Sequence, residues 1–366
     1  MDQLALTSWP HQLIYWYHLH KRDFPWRNDI DIYKVWICEI MSQQTILSVV
    51  LPKFNEFIKV LPTCDALAFC GEETLTKLWS GLGYYARARN LRKGALYITE
   101  QLNNHFPTNY EGWLQVPGCG PYTASVISSI CFQEPVACVD GNVVRVVSRI
   151  LGLTEQVWTP AGQRAIQHFV TKHLVQENPG DFNQAIMELG ATVCKKSNPQ
   201  CSLCPITTSC LAHQKHIVAQ CPPIKPRKQS VEQKIFIFVF QEKTSDNIFL
   251  VQRKSGFLAK TIGFPLFSPR DTETADKLIQ TLRQNNALIE IKESTAYFSH
   301  SITHHKITGH PIFVSFHGSI QEVEKILHNF IDAQNYFWLP ASQINDKISS
   351  SLDRKAIKIL FSEEKE

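Results

Sequence analysis

Apolar side chains recur at three- and four-residue spacing up to about residue 230, and beyond it the pattern changes toward period 2 and β-rich runs. The first rhythm belongs to helices with one buried face, the second to strands. Residues 8–22 (SWPHQLIYWYHLHKR) read as an amphipathic helix that begins near Pro10. After a loop at Pro25 and residues 28–31, a helical pattern starts at about Tyr33 and runs through Val35, Trp36 and Ile40. Short helices follow over 46–115, punctuated by Pro62, Gly71, Gly81-Leu82-Gly83 and Pro107. The pattern resumes in TASVISSIC (123–131), DGNVVRVVSRILGL (140–153) and FNQAIMELGATVC (182–194). Past 230, KIFIFVFQ (234–241), NIFLVQRK (247–254) and HPIFVSFHG (310–318) read as strands, with one helix, ETADKLIQTLRQNN (273–286), between them. The stretch CPPIKPRKQS has three prolines, three basic residues and no apolar period, which is linker composition. The expected organisation is therefore multidomain: an all-α region over 1–221, a linker over 222–232 and an α+β domain over 233–366.

The helical region centres on VPGCGPYTA (116–124), where Pro117, Gly118 and Gly120 cannot all lie inside one helix. Helical patterns flank it, so residues 112–131 form a helix, a Gly-x-Gly hairpin and a second helix. Amide donors at such a turn suit a DNA phosphate, although an ordinary helix–helix turn carries the same pattern. Just beyond it, Asp140 and Asn142 stand at a helix start, where Asp is a common N-cap and could equally present a carboxylate beside the hairpin. Glu39 lies among Trp36, Ile37, Ile40 and Met41; it is either the polar edge of that helix or a carboxylate in a half-apolar setting. Gln43 is one turn further on the same face, followed by Gln44. In GLGYYARARNLRK, Tyr84 and Tyr85 precede Arg87, Arg89, Arg92 and Lys93 with no acid between. That stripe can face phosphates and its aromatics can wedge between bases. A solvated helix face and half-buried tyrosines read the same way.

A net charge of +4 is too mild to name a partner. No segment is apolar enough to span a bilayer, and the Met-Asp-Gln start does not resemble a secretory signal, so the expectation is a soluble, cytoplasmic protein with no membrane partner. Eleven cysteines argue against a disulfide framework in that setting. Seven are scattered; Cys194, Cys201, Cys204 and Cys210 form C-x6-C-x2-C-x5-C. Four thiolates so spaced can wrap one sulfur-ligated centre, and zinc and an iron–sulfur cluster both fit.

Together FPWR, YKVWICEIMSQQT, GLGYYARARNL, VPGCGPYTA, VDGNVVRV, FNQAIMELGA and the four-cysteine spacing resemble adenine DNA glycosylases of the MutY type, in the helix–hairpin–helix superfamily that includes endonuclease III. The likeness runs through about residues 20–212 and continues more weakly beyond. It implies that Glu39 is the acid that protonates adenine and later helps activate water, and that Asp140 stabilises the oxocarbenium-like sugar. Cleaving an N-glycosidic bond calls for such a pair: a proton for the leaving group and a negative charge for the developing cation. Tyr122 stands where endonuclease III-like relatives carry a Lys nucleophile; a phenol cannot form a Schiff base, so a monofunctional glycosylase is expected, with Tyr122 supporting Glu39 and Asn142 nearby. The resemblance places Arg22, Trp26 and Arg27 around an extruded adenine and wedges Gln44 and Tyr84 into the duplex. It makes Cys194, Cys201, Cys204 and Cys210 the ligands of one 4Fe–4S cluster, held in a loop over 194–210.

The C-terminal region is similar to the family's Nudix-like module, which recognises 8-oxoguanine opposite the adenine. Here Ile262-Gly263 replaces the usual Trp-Glu before Phe-Pro, and no acidic Nudix box follows, so pyrophosphatase activity is not expected. The lesion-reading motif aligns with His300-Ser301-Ile302-Thr303-His304, making Thr303 and His304 the readers; the literal Phe298-Ser299-His300 string makes Ser299 the alternative. The expected partner is double-stranded DNA with adenine opposite 8-oxoguanine or guanine, bound by a monomer associated with a prokaryote-like nucleoid. The rivals are an endonuclease III-like glycosylase/lyase, which Tyr122 disfavours, and a catalytically silent DNA-binding protein, which would need neither Glu39 nor Asp140.

Overall fold

The computed structural model describes residues 8–226, 230–256, 258–268, 271–285, 289–294, 296–302, 305–348 and 350–363. They fall into two compact units, 1–226 and 227–366.

The described residues of the first unit contain helices and turns and no strand. Two cores organise it. One is built by the middle of the chain, with Trp36, Trp79 and Trp113 fully buried among the helices Ile32–Ser42, Leu47–Val60, Ala86–Gln101, Tyr110–Gln115 and Pro121–Phe132. The other joins the two ends of the unit: the first helix, Trp9–His20, packs with Gly141–Leu151, Pro160–His173 and Pro179–Thr192 around Leu13, Val143, Val147 and Phe182. Local chemistry sets the boundaries. Asp31 caps Ile32–Ser42 by accepting from the Lys34 N–H at 2.8 Å, and Asp140 caps Gly141–Leu151 by accepting from Val143 N–H at 2.8 Å. The latter helix stops at Gly152, whose φ of +64° permits the closing bonds from Gly152 N–H to Arg149 O and Leu153 N–H to Ser148 O.

Residues 194–210 fold as turns with two short 3-10 segments, Cys201–Leu203 and Thr207–Ser209, and the following helix Leu211–Gln214 packs on Gly141–Leu151. The stretch read as a linker behaves differently from a free tether at its start. Trp158 Nε1–H donates to Pro223 O at 2.7 Å, Lys225 lies over the Trp158 ring at 5.1 Å, and the helical unit extends to Pro226.

In the second unit the strands are β1 (Val231–Glu242), β2 (Asn247–Arg253), β3 (Ile262–Gly263), β4 (Leu266–Phe267), β5 (Ile289–Glu293), β6 (Phe298–Ile302), β7 (His305–Phe316) and β8 (Ala333–Pro340). β1 thus begins inside the stretch expected to be linker. The sheet is mixed, with order β3-β2-β1-β7-β5; β1 and β7 pair in parallel, while β4 adds to β1, β6 to β7 and β8 to β2. Along β1, Ile235, Ile237 and Val239 face one core and Phe238 and Phe240 the other. A strand buried on both faces has to be apolar throughout, which is why KIFIFVF shows no polar alternation. The helices Thr272–Asn285 and Ile320–Phe330 cover one face, and Ile344–Lys347 with Ser351–Glu363 the other. At Gly263, the Arg253–Asp353 ion pair (2.6 Å) occupies the space a side chain would need.

Candidate active site

A cavity of 430 Å³ opens between the two cores of the helical unit. Glu39 reaches it from the last turns of Ile32–Ser42, Tyr122 from the first turn of Pro121–Phe132, and Asp140 and Asn142 from the start of Gly141–Leu151. Arg22, Trp26 and Arg27 line it from the segment after the first helix. A second depression, of 620 Å³, shares Glu39, Tyr122 and Asp140 with this cavity and runs on to Gln43, Gln44, Gly118 and Gly120. The hairpin and the carboxylates therefore open onto one surface.

The two carboxylates sit in unlike settings. Burial is the largest influence on Glu39 and raises its pKa to about 7; the nearby Asp140 charge pushes the same way, against a Tyr122 hydrogen bond and the Arg27 charge. Burial also raises Asp140, but Val143 N–H, the Asn142 side chain and the Arg145 charge all favour its anion. Asn142 Nδ2–H donates to Asp140 Oδ2 at 2.8 Å, and Arg145 Nη2–H holds Asn142 Oδ1 at 2.9 Å. Of the pair, Glu39 is the one that keeps a proton. Burial and the adjoining carboxylates hold Tyr122 well above the usual phenol range, so it stays neutral and its hydroxyl also touches Met187 Sδ at 3.3 Å.

Aromatic rings also line the cavity. Trp26 is buried, stacks on Phe24 at 4.9 Å with an 8° interplanar angle, and meets the edge of Phe54. Beside it Arg22 and Arg27 both pair with Glu188, at 2.6 and 2.8 Å. A planar ring with polar edges suits such a slot.

At the hairpin, Gly118 has φ +88°, and a Cβ there would lie 2.9 Å from Asn90 Cβ. Gly120 is the N-cap of Pro121–Phe132, with nothing within 4 Å of where its Cβ would be; since Pro121 has no N–H, Tyr122 carries the first amide of that helix, at the end that favours an anion. Gln44 and Tyr84 both hold left-handed backbone, at φ 58° and 48°, and Tyr84 is 46% exposed. Strain of that kind in non-glycine residues collects at functional surfaces. Gln43 points inward, its Nε2–H donating to Thr123 Oγ1 at 3.3 Å.

Arg87 departs from expectation. Its guanidinium donates to the backbone carbonyls of Ile40, Met41, Gln43, Leu82 and Gly83 and to Thr45 Oγ1, so it ties two turns together and does not face a phosphate. In the second unit Ser299 is exposed on β6, opposite Thr308 of β7. Thr303 and His304 lie outside the described residues.

Cys194, Cys201 and Cys210 all stand close enough to Cys204 for their charges to act on its thiol. Arg149 Nη1–H donates to Cys194 Sγ at 3.2 Å, and Cys210 Sγ–H to Arg149 O at 3.3 Å. Among the described residues no three His, Cys, Asp or Glu side chains stand together as a site for a metal ion. The donor set itself, four thiols within one short loop with an arginine on one of them, matches the chemistry of a sulfur-ligated cluster.

Sequence reasoning missed Gln184, Met187 and Glu188, which line the cavity from Pro179–Thr192, and Tyr17, whose hydroxyl donates to Gln184 Oε1 at 3.0 Å. The available signal was a Gln and a Glu one turn apart on a helix whose face also carries Met187.

A helix–hairpin–helix fold with a paired-carboxylate cavity defines a class, and residues 37–169 match the family described as HhH-GPD superfamily base excision DNA repair protein. The helical part is similar to endonuclease III in a non-covalent complex with DNA, at 20% identity and a TM-score of 0.50, over 59% of this chain and 99% of that one. The chain is 32% identical over 317 residues to an adenine DNA glycosylase of Buchnera aphidicola, covering 86% of this chain and 90% of the relative. It is 40% identical over 231 residues to the adenine DNA glycosylase of Rattus norvegicus, spanning 58% of this chain and 43% of that protein. The chain belongs to the adenine DNA glycosylase family and is a DNA glycosylase.

Proposed function

We propose that the protein hydrolyses the N-glycosidic bond of adenine mispaired with 8-oxoguanine or guanine in double-stranded DNA, leaving an abasic site. The observation that carries this reading is Glu39, held near neutrality by burial and set beside Asp140, whose hydrogen bonds favour its anion. An extruded adenine occupies the slot against Trp26, with Gln184 and the arginines at its edges. Glu39 gives its proton to adenine N7; the C1′–N9 bond breaks and its electron pair leaves with the base. The Asp140 anion faces the cation that develops at C1′. Water then adds to C1′ and Glu39 takes up its proton. Tyr122 offers no amine to C1′, so the strand stays intact. Gln44 and Tyr84 fill the space the base vacates, and the backbone N–H groups of Gly118 and Gly120 donate to a phosphate of the DNA backbone.

Cys194, Cys201, Cys204 and Cys210 would hold one 4Fe–4S cluster, which would cross-link the loop 194–210 through its thiolates; no step of the hydrolysis runs through it. The second unit is a Nudix-like module that reads the 8-oxoguanine, through Thr303 and His304 or through Ser299. A larger loss of 8-oxoguanine preference in Ser299→Ala than in Thr303→Ala would assign the reading to Ser299.

The test is single-turnover cleavage of a duplex with adenine opposite 8-oxoguanine, with and without hot alkali. Breaks that need alkali and vanish in Glu39→Gln are expected; breaks without alkali would replace this reading with a lyase. Because Glu39 must be protonated, the rate falls as pH rises through about 7. Because Asp140 must be ionised, it falls again in acid, giving a bell-shaped profile.

A further inference from the structure

Glu188 takes no part in the steps above, yet it is 1% exposed and lies on the cavity wall. Its Oε1 accepts from Arg22 N–H at 3.2 Å and Arg22 Nε–H at 2.6 Å; its Oε2 accepts from Arg22 Nη2–H at 3.0 Å and Arg27 Nη2–H at 2.8 Å. Arg27 Nη1–H donates in turn to Arg22 O at 3.1 Å, which closes a ring of three residues. Both guanidiniums lie over the Phe24 ring, at 5.2 and 5.1 Å, and Arg27 also lies over Tyr17 at 5.6 Å. A buried ion pair is a poor device for stability alone, because apolar side chains of equal volume commonly do as well. Its place beside the reacting groups suggests another use.

The groups that face Glu39 come from several elements: Asp140 before Gly141–Leu151, Tyr122 and Cys131 on Pro121–Phe132, Arg27 on Pro25–Asn28, Cys38 on its own helix, and Cys138. Those that face Glu188 are Arg22, Arg27 and Tyr17. Arg27 therefore touches both sets.

We propose that Glu188 is a positioning residue for base excision, which fixes Arg22 and Arg27 on the cavity wall and cancels Arg27's charge beside Glu39. This rests on the reading of Glu39 as the acid. Arg27 pulls the proton affinity of Glu39 down, and the Glu188 carboxylate bound to Arg27 Nη2 is the counter-ion placed to limit that pull. Without Glu188 the Arg27 charge has no counter-ion, the Glu39 anion is favoured, and the acid is lost at lower pH.

The experiment compares wild type, Glu188→Gln, Glu188→Asp and Arg27→Met over a range of pH by single-turnover excision. In parallel, the Glu39 carboxyl is titrated without DNA by 13C NMR of glutamate-labelled protein, with Glu39→Gln to assign its resonance. Glu188→Gln should move the alkaline limb of the rate, and the Glu39 titration, down by about one pH unit, the scale of one neighbouring charge. Glu188→Asp should keep both near the wild-type position, and Arg27→Met should move both upward. If Glu188→Gln lowers the rate equally at all pH with no movement of limb or titration, Glu188 only holds the fold and the proposal is wrong. Should Glu188→Gln not fold, an Arg27→Met limb that stays put overturns it as well. A Glu39 titration that shifts in Glu188→Gln, together with a wild type that excises no adenine, would sink the functional reading while leaving the coupling in place.

Discussion

Asp140 shows at the scale of one residue how a structural and a chemical role can be separated. Its Oδ1 caps Gly141–Leu151 through Val143 N–H, and its Oδ2 is the acceptor for Asn142. Asparagine caps a helix about as well as aspartate but carries no charge. Asp140→Asn should therefore unfold within ~0.5 kcal/mol of wild type while excision falls by at least ~10²-fold. Thermal unfolding and single-turnover rates on the same preparations test this; a stable Asp140→Asn variant that still excises at the wild-type rate would mean that the carboxylate is chiefly a cap. Arg87 makes the converse case. Its basic stripe suggested phosphates, but the guanidinium is spent on six oxygens inside the unit. Arg87→Ala should cost at least about 1.5–3 kcal/mol of stability, the value of hydrogen bonds to a charged group. It should leave the salt dependence of DNA affinity unchanged, whereas losing a true phosphate contact would lower that slope by about one.

At the scale of elements, the site depends on how closely helices approach. Gly190 lies in Pro179–Thr192, and a Cβ there would come within 2.7 Å of Asn142 Cβ and 3.3 Å of its backbone. Arg145 Nη2–H also holds Gly190 O at 2.7 Å. Gly190→Ala should push the start of Gly141–Leu151 away, displace Asp140 and Asn142 together, and lower excision more than it lowers DNA affinity. Equal losses in both would show that the whole surface had moved. The same crossing explains what the sequence could reveal. The hairpin, the Asp140 cap and the cysteine spacing are local arrangements, so residue type and spacing disclose them. Gln184 and Glu188 become site residues only when Pro179–Thr192 meets the first helix and the Arg22–Arg27 segment, an association no local pattern reports. Arg87 misled because a basic stripe is the same string whether it faces carbonyls or solvent. In the second unit the long strands β1, β2 and β7 were legible. β3 and β4, two residues each, carry no period, and β8 is only half-buried along most of its length.

For the whole molecule, each unit holds its own cores, two in the helical unit and two around the sheet. The cavity, the hairpin and the cysteines all belong to residues 1–226, and Pro223 and Lys225 are already docked on Trp158 there. A chain ending at Pro226 should therefore fold by itself and retain alkali-dependent excision of adenine opposite guanine. What it should lose is discrimination: the ratio of single-turnover rates opposite 8-oxoguanine and opposite guanine should fall toward one, through a lower rate opposite the lesion. That ratio, measured for the full chain and the shortened one, separates chemistry from lesion reading. A ratio left unchanged would place lesion recognition in the helical unit, and the sheet would then need another purpose. Loss of both rates in a folded fragment would mean that the second unit helps to bring the duplex to the cavity in the first place.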